Sequence, residues 1–333
     1  MAFDALIGSE DLRERLATDV CEGKLSHAYI IEGAHGSGKR TLARELCEAL
    51  ACTDSKSGRI PCGTCLACRK VYEGKCPDII RIGRGNKASI GVDDVRFLRA
   101  DVLTPPNDLD SKIYIVEDAD TMTPQAQNAL LLTLEEPPSY VLFLLLCENA
   151  ASLLETIRSR APKLTICPVP KEDIRAYLDR HERAFGSLTV QEQEAILMIA
   201  DGSIGRAKEL LDSKERKPHL ARRELAMAFV STYFGGRDST AMLGLLSRFG
   251  TKREEVLLLL SDVQYALRDL MLLKRTESAP LCFYTDAEAA MALCDATSMQ
   301  ALLSLFEAVE ACRRQLLRNA NVRLSLTSLF LMS

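Results

Sequence analysis

The 333-residue sequence contains no long hydrophobic run. Its longest uninterrupted apolar stretch, residues 140–147, is far shorter than the ~18 residues that a transmembrane helix needs. Asp4, Glu10 and Asp11 stand where a signal peptide would be apolar. These absences predict a cytoplasmic protein with no membrane partner.

The sequence also lacks an excess of charge of one sign, with 42 basic and 46 acidic residues and a net charge of −4. Such a chain has no global field to attract nucleic acid, so any DNA contact would have to be local. With 47% hydrophobic and 26% charged residues, disordered and collagen-like classes are excluded. At roughly 100–200 residues per domain, the length predicts two or three domains.

Cysteine, in contrast, is abundant, with twelve residues in the chain. In a reducing compartment so many thiols do not indicate a disulfide framework. Two interpretations remain, namely small buried side chains and a metal site.

The first half of the chain alternates short apolar runs with segments of helical periodicity. Strands that are apolar on both faces and separated by helices predict an α/β fold with a mostly parallel sheet. The predicted strands are 28–31, 78–82, 113–116 and 141–146, and the clearest helices are 42–50 and 125–135.

From about residue 171 onward the pattern indicates helices only. Segments 171–183 and 189–212 predict a small helical unit with a break at Gly202-Ser203, and the polar stretch 213–218 predicts a linker. The expected domains are an α/β domain at 1–168, a small helical domain at 169–213 and a C-terminal helical domain at 214–333.

A glycine-rich segment, which includes Gly33, Gly36, Gly38 and Lys39, follows the first predicted strand and precedes a helix. This is the context of a phosphate-binding loop, in which backbone N–H groups and the helix N-terminus face a phosphate and the lysine reaches the outer phosphates. The alternative is a simple glycine-rich turn between strand and helix.

The residue after the loop lysine departs from the phosphate-loop pattern, because Arg40 stands where a Ser or Thr hydroxyl would bind Mg²⁺. Thr41 does not replace that hydroxyl, since one residue along a helix rotates the side chain by ~100°. Coordination of Mg²⁺, and with it the ordinary use of ATP, is therefore doubtful.

A second departure lies after the third predicted strand, where Glu117 and Asp118 stand in the reverse of the usual Asp-Glu order. Each exchange moves a carboxylate by about one methylene, and a shift of ~1 Å can cost ~100-fold in rate. Together, the two departures predict a nucleotide pocket that has lost most of its hydrolytic power.

Four cysteines lie within a short segment, and the last three are spaced C-x2-C-x2-C. A tetrahedral zinc ion needs four such ligands, and four thiolates leave no open position for catalysis. The sequence predicts a structural zinc module at 52–68, against the alternative of unligated thiols. The predicted ligands are Cys52, Cys62, Cys65 and Cys68.

Taken together, these motifs resemble the bacterial clamp-loader subunits of the AAA+ class, over residues 1 to about 212. Besides the loop and the cysteines, the resemblance rests on segments 117–120, 128–138 and 156–160. It implies an AAA+ P-loop domain with a zinc knuckle, a small helical lid domain and an all-α C-terminal collar domain.

Within that family, the departures resemble the delta prime type of DNA polymerase III subunit more than the gamma/tau motor type. The resemblance implies that Arg160, in a Ser-Arg-Ala sequence, is an arginine finger that enters a neighbouring subunit's ATP site. It also implies that Arg206 belongs to the second sensor helix. A surface salt bridge is the alternative role for Arg160.

The implied partners are the motor (gamma/tau) and delta subunits, with the sliding clamp and primed DNA reached through the assembly, in a replisome at the bacterial nucleoid. The implied function is to assist ATP-driven clamp loading while hydrolysing ATP poorly. The alternative is an active ATPase, either a gamma/tau motor or another AAA+ enzyme, because Gly33, Gly38 and Lys39 are intact.

Overall fold

The computed structural model describes residues 3–54, 60–85, 87–235, 239–276 and 281–331. The chain divides into two compact units. The first comprises Met1–Ile174 with Gly202–Arg206, and the second comprises Arg175–Asp201 with Ala207–Ser333. The three domains expected from the sequence stay a prediction.

The first unit is built on a five-stranded parallel sheet with the order β2-β3-β4-β1-β5. The predicted parallel α/β fold is confirmed. Strand β5 was not predicted. The strands are β1 (Ala28–Glu32), β2 (Ile79–Ile82), β3 (Lys112–Val116), β4 (Val141–Cys147) and β5 (Lys163–Thr165).

Helices cover both faces of this sheet. They are α1 (Glu10–Cys21), α2 (Lys39–Ala51), α3 (Leu66–Tyr72), α4 (Val92–Asp101), α5 (Pro124–Glu135) and α6 (Glu155–Arg158). Alternate residues of a strand point to opposite faces, so Tyr114 packs with the core that contains α4 and α5, and Ile113 with the core that contains α1 and α2. This double burial explains the apolar runs of β1, β3 and β4, in which nearly every residue is buried.

Helix α5 begins as the sequence predicts. Thr123 accepts a hydrogen bond from the backbone N–H of Ala126, and Pro124 occupies the first turn, where its missing N–H costs nothing. The helix ends at Glu135, just before Pro137-Pro138. It therefore delivers Glu135 to a fixed place beside the next loop.

The rest of the chain is helical. The helices are α7 (Lys171–His181), α8 (Arg183–Gly186), α9 (Val190–Ala200), α10 (Ile204–Glu209), α11 (Ser213–Phe234), α12 (Ser239–Arg248), α13 (Arg253–Leu273), α14 (Ala287–Asp295), α15 (Met299–Leu317) and α16 (Val322–Leu331). In the second unit, α11, α13 and α15 share a core that includes Phe229, Val263 and Val309.

The predicted linker at 213–218 is wrong, because these residues form the first turns of α11. The Asp212 side chain caps the helix by accepting from the N–H of Lys214. Arg216 anchors it by donating to the carbonyl of Leu210 and pairing with Glu192. These contacts hold a helix that contains an internal proline.

Across the described residues, no individual helix combines the length and the apolar character of a membrane span. One pair, Ala287–Asp295 with Met299–Leu317, meets the length and composition criteria jointly, and it is bent by 105° at its break.

Candidate nucleotide site, arginine finger and metal centre

The phosphate loop connects β1 to α2, and two of its glycines have left-handed backbone conformations, with φ of 71° at Gly36 and 102° at Gly38. Lys39 opens the helix and folds back, so that its Nζ donates to the carbonyls of Gly33 at 2.6 Å and Ala34 at 2.8 Å. Partial burial lowers the pKa of Lys39, and nearby acidic groups, Glu148 first among them, oppose that shift. The ammonium is held at the loop.

Ser37 supplies a further polar group inside this loop. Its Oγ is buried and has no hydrogen-bond partner among the described residues. It lies so close to Gly33 that a Cβ added there would be 2.5 Å from the hydroxyl. The thirteen-residue helix α2 starts two residues later with no side-chain cap, so its first N–H groups also remain open to an anion.

Arg40, the residue that departs from the pattern, contacts the acidic end of β3. Its Nη2 lies 2.7 Å from Oε2 of Glu117. The other carboxylate oxygen of Glu117, Oε1, faces Nη1 of Arg81 at 3.7 Å. Both oxygens of Glu117 therefore face guanidinium groups, and Thr41 follows Arg40 in the first turn of α2 without taking its place in this contact.

The next two acidic residues along the chain, Asp118 and Asp120, also accept hydrogen bonds from the protein. Asp118 has a left-handed backbone with φ of 52°, and its Oδ2 accepts from Nε of Arg84 at 3.2 Å. Asp120 accepts from the N–H groups of Glu148 and Asn149, at 3.0 and 3.4 Å, and so joins the ends of β3 and β4. The carboxylates at this edge are engaged by the protein itself.

Magnesium does not fit this arrangement. In a phosphate-loop ATPase the ion is held by the hydroxyl after the loop lysine and by the acidic residue at the strand end. Here the first position carries the guanidinium of Arg40, and Glu117 at the second position pairs with it at 2.7 Å. A divalent cation placed between them would meet a positive charge instead of an oxygen ligand.

Residues 202–206 lie directly on the phosphate loop. Oγ of Ser203 donates to the carbonyl of His35 at 2.7 Å, and the N–H of Gly205 donates to the carbonyl of Gly36 at 2.9 Å. A Cβ added to Gly205 would lie 2.7 Å from both Cα and O of Gly36. The contact therefore requires glycine at both positions.

Arg206 takes part in this contact through its backbone. Its N–H donates to Oγ of Ser203 at 3.2 Å, and a Cβ added to Gly36 would lie 2.5 Å from this nitrogen. The family resemblance implies that the motor type carries its sensor arginine one residue earlier, at the position that Gly205 occupies here. A close contact between two glycines thus stands where the motor type carries a charged side chain.

Arg160 lies just after α6, and its side chain contacts the end of α5 and the first turn of α6. Its Nη2 donates to Oε1 of Glu135 at 2.8 Å, and its Nη1 donates to the carbonyl of Thr156 at 2.9 Å. About a third of the side chain is exposed. The guanidinium is held in one orientation while remaining accessible from outside the chain.

The four predicted metal ligands come together at the opposite end of α2. Their Sγ atoms all lie within 4.8 Å of one another, and the Sγ atoms of Cys62 and Cys68 are 3.9 Å apart. Tetrahedral zinc with Zn–S bonds of ~2.3 Å requires S···S separations of about 3.8 Å. The donor set and its spacing fit a closed, four-thiolate metal site.

Backbone N–H groups point at these sulfur atoms, since Cys62 donates to Cys52, Cys65 to Cys62 and Cys68 to Cys65 at 3.3–3.4 Å. Burial opposes the charged form of Cys65, but such donors lower its pKa to about 6. Burial raises the pKa of Cys68. Residues 55–59 of the predicted module lie outside the described residues.

Most of the other cysteines agree with the alternative of buried thiols. Cys47, Cys76, Cys147, Cys294 and Cys312 are buried, whereas Cys21 and Cys167 are exposed.

Two functional candidates were missed by sequence reasoning, namely Arg81 and Arg84, which neutralise the acidic strand end. They lie in and just after β2, which is the hydrogen-bonded neighbour of β3. Basic residues near the carboxyl end of one parallel strand were the available signal. Their meaning depended on the strand order, which the sequence does not show.

The parallel sheet and the loop between β1 and α2 define the phosphate-loop class of α/β proteins. Residues 8–170 match the family model described as "DNA polymerase III, delta subunit". Over these residues, just under half of the chain, the protein is similar to the clamp-loader subunits of DNA polymerase III.

Relatives with curated descriptions include DNA polymerase III subunit gamma of Buchnera aphidicola subsp. Schizaphis graminum, 28% identical over 73% of this chain and 63% of its own length. The tau subunit of Bacillus subtilis is 31% identical over 63% of this chain and 37% of its own length. The chain thus spans less than two thirds of the length of these relatives.

Among solved structures, a DNA polymerase III gamma subunit-related protein from Thermotoga maritima aligns with a TM-score of 0.50 and 20% identity. The alignment covers 95% of this chain and 97% of that chain. It supports the fold.

Proposed function

We propose that this chain is a delta prime-type subunit of a DNA polymerase III clamp loader. In this role it assists the ATP-driven loading of a sliding clamp onto primed DNA. It presents Arg160 to the ATP site of a neighbouring motor subunit and hydrolyses ATP poorly or not at all in its own pocket.

The ion pair between Arg40 and Glu117, at 2.7 Å, carries this proposal. It removes the metal ligands on which hydrolysis by a phosphate-loop ATPase depends. The contact between Gly36 and Gly205 supports the same conclusion, because it leaves no room for a sensor side chain at that position. A subunit with these features serves the ring by positioning groups for its neighbours.

The geometry of Arg160 supports the role in trans. Fixing a long side chain costs up to ~2 kcal/mol in rotamer freedom, and the bonds to Glu135 and Thr156 meet part of that cost before any partner binds. An arginine supplied in this way stabilises the charge that develops on the transferred phosphoryl group. The partial exposure of Arg160 permits such a contact.

The remaining assignments follow from the same family. We propose structural zinc on the four cysteines, a lid role for 169–213 and a collar role for 214–333. The partners would be gamma/tau motor subunits and a delta subunit. Contact with the clamp and with primed DNA would occur through the assembly, in a bacterial replisome.

The arginine-finger role is tested with Arg160→Ala in a complex reconstituted from this full chain with its motor and delta subunits. We expect normal assembly on gel filtration. ATP turnover at the adjacent site should fall on the order of 10³-fold or more, as for other arginine fingers. Turnover of the whole complex then falls by the share which that site contributes.

The matched control is Arg158→Ala, which removes the same charge from an exposed arginine two residues away. We expect turnover within about twofold of the unmodified complex, because exposed charges away from special features have small effects. Equal turnover by the Arg160→Ala and unmodified complexes would reject the role in trans.

An active ATPase of the gamma/tau type is the second candidate, favoured by the intact Gly33, Gly38 and Lys39. Turnover of radiolabelled ATP by the isolated chain separates the two. A motor would show turnover that Lys39→Ala abolishes, and the delta prime proposal expects no turnover above background.

A further inference from the structure

Arg40 affects both of the positions that would hold Mg²⁺ in a phosphate-loop ATPase. One of these is the side chain after the loop lysine, and Arg40 itself occupies that position. The other is the acidic strand end, and Arg40 contacts it at Glu117, 2.7 Å away. A fixed positive charge thus takes the position of the ion.

The anion-binding part of the loop is retained. Lys39 donates to two loop carbonyls instead of to a carboxylate, and a rotation of its side chain frees it for a phosphate. The Ser37 hydroxyl is buried and has no partner in the part of the chain that the structure describes, and no side chain caps the first N–H groups of α2. These are the donors that bind nucleotide phosphates in such loops.

The charges around the loop favour an anion without a metal. Arg40 and Arg81 face the two oxygens of Glu117, and Arg84 pairs with Asp118. Hard divalent cations bind free oxygen ligands, and at this strand end the carboxylates are paired with guanidinium groups. A phosphate that enters the loop therefore meets the Lys39 ammonium and carboxylates that are already neutralised by guanidinium groups.

We infer that this pocket binds a nucleoside di- or triphosphate without Mg²⁺, with Arg40 serving as the built-in cation. The bound nucleotide is a static ligand, since no metal polarises its phosphates. This inference rests on the proposed function in one respect, namely that the pocket does not turn ATP over.

The test measures the affinity of the isolated full chain for a fluorescent ADP derivative and for a fluorescent non-hydrolysable ATP analogue. Each is titrated at 5 mM MgCl₂ and in buffer freed of divalent metal by a chelating resin. Soluble chelators are avoided, because they would also remove a metal from the four cysteines. Metal analysis of each sample verifies that the cysteine site is unchanged.

We expect the dissociation constants of the unmodified chain with and without Mg²⁺ to agree within about threefold. In Arg40→Thr, which restores a metal-binding hydroxyl, Mg²⁺ should tighten binding about tenfold or more. Arg44→Thr is the matched control, since it removes the same charge one turn along α2, where Arg44 pairs with Glu48. It should remain insensitive to Mg²⁺.

Tenfold tighter binding by the unmodified chain when Mg²⁺ is added would overturn the inference. The absence of saturable binding in both buffers would overturn it as well. Neither result bears on the role of Arg160, which is measured on the turnover of the assembled complex.

Discussion

Helix α2 carries a different kind of site at each end. At its N-terminus, the phosphate loop keeps its backbone donors, but the metal-binding positions have been replaced by charges that pair within the protein. At its C-terminus, four cysteine sulfurs converge within 4.8 Å with a complete ligand set. One helix thus joins a site whose charged groups pair within the protein to a cysteine cluster that could hold a metal ion.

The difference shows how a ligand requirement can be read from a structure. Paired carboxylates and guanidinium groups neutralise each other and need no bound ion. Clustered thiols repel one another once ionised, and a bound metal ion removes that repulsion. The four cysteines could therefore hold a metal ion that supports the local fold, whereas the charges at the loop end pair without one.

The largest effect is expected at the cysteine end. Cys65→Ser removes one of four ligands, and the apparent binding energy of a structural zinc is on the order of 10 kcal/mol. Metal analysis of the purified protein should find about one zinc per chain before the change and close to none after it. Limited proteolysis should also begin within the module.

The control for this change is Cys21→Ser, which alters an exposed cysteine outside the cluster and should retain the metal. Retention of zinc by Cys65→Ser, or its absence from the unmodified chain, would remove the contrast between the two ends of α2.

A smaller effect is expected where residues 202–206 meet the loop end. In Gly205→Ala, the new Cβ would lie 2.7 Å from the backbone of Gly36. Overpacking of this kind costs about 1–3 kcal/mol, so the free energy of unfolding should fall by that amount. Urea unfolding followed by circular dichroism measures it.

Gly244→Ala provides the comparison, because a Cβ added there meets nothing within 4 Å and the residue lies inside α12. Alanine in a helix interior is favoured over glycine by roughly 0.5–1 kcal/mol, so this variant should be as stable as the unmodified chain or more so. Equal stability of both variants would show that the contact with Gly36 is looser than described.

The smallest effect is expected from the ion pair itself. Arg40→Ala removes a largely exposed guanidinium, and exposed pairs contribute about 0.2–1 kcal/mol. The same unfolding experiment should show a loss within that range. A loss of several kcal/mol would mean that Arg40 supports the fold instead of tuning the pocket.

Local patterns allowed much of this structure to be predicted. Four strands were visible as apolar runs, and in three of them, β1, β3 and β4, nearly every residue is buried. Strand β5 was not, since it has three residues and only Leu164 among them is buried. The helix at 213–218 was missed because its stability comes from Arg216, whose partners Leu210 and Glu192 lie outside the segment.

The residues of the candidate sites were likewise predictable only where they lie close together in sequence. The phosphate loop and the cysteines are each contiguous in sequence, so their residues could be named in advance. Arg81 and Arg84 could not, because their importance arises from the pairing of β2 with β3. The contact of Gly205 with Gly36 likewise joins residues that are distant in sequence.

That glycine contact also constrains how this chain can evolve. A motor-type site, as the family resemblance implies it, would carry a hydroxyl at position 40, a reordered acidic pair and an arginine at position 205. The last change is blocked while Gly36 remains where it is, because any side chain at position 205 meets backbone 2.7 Å away. The proposed loss of hydrolysis is therefore hard to reverse, because the change at position 205 also requires the backbone at Gly36 to move.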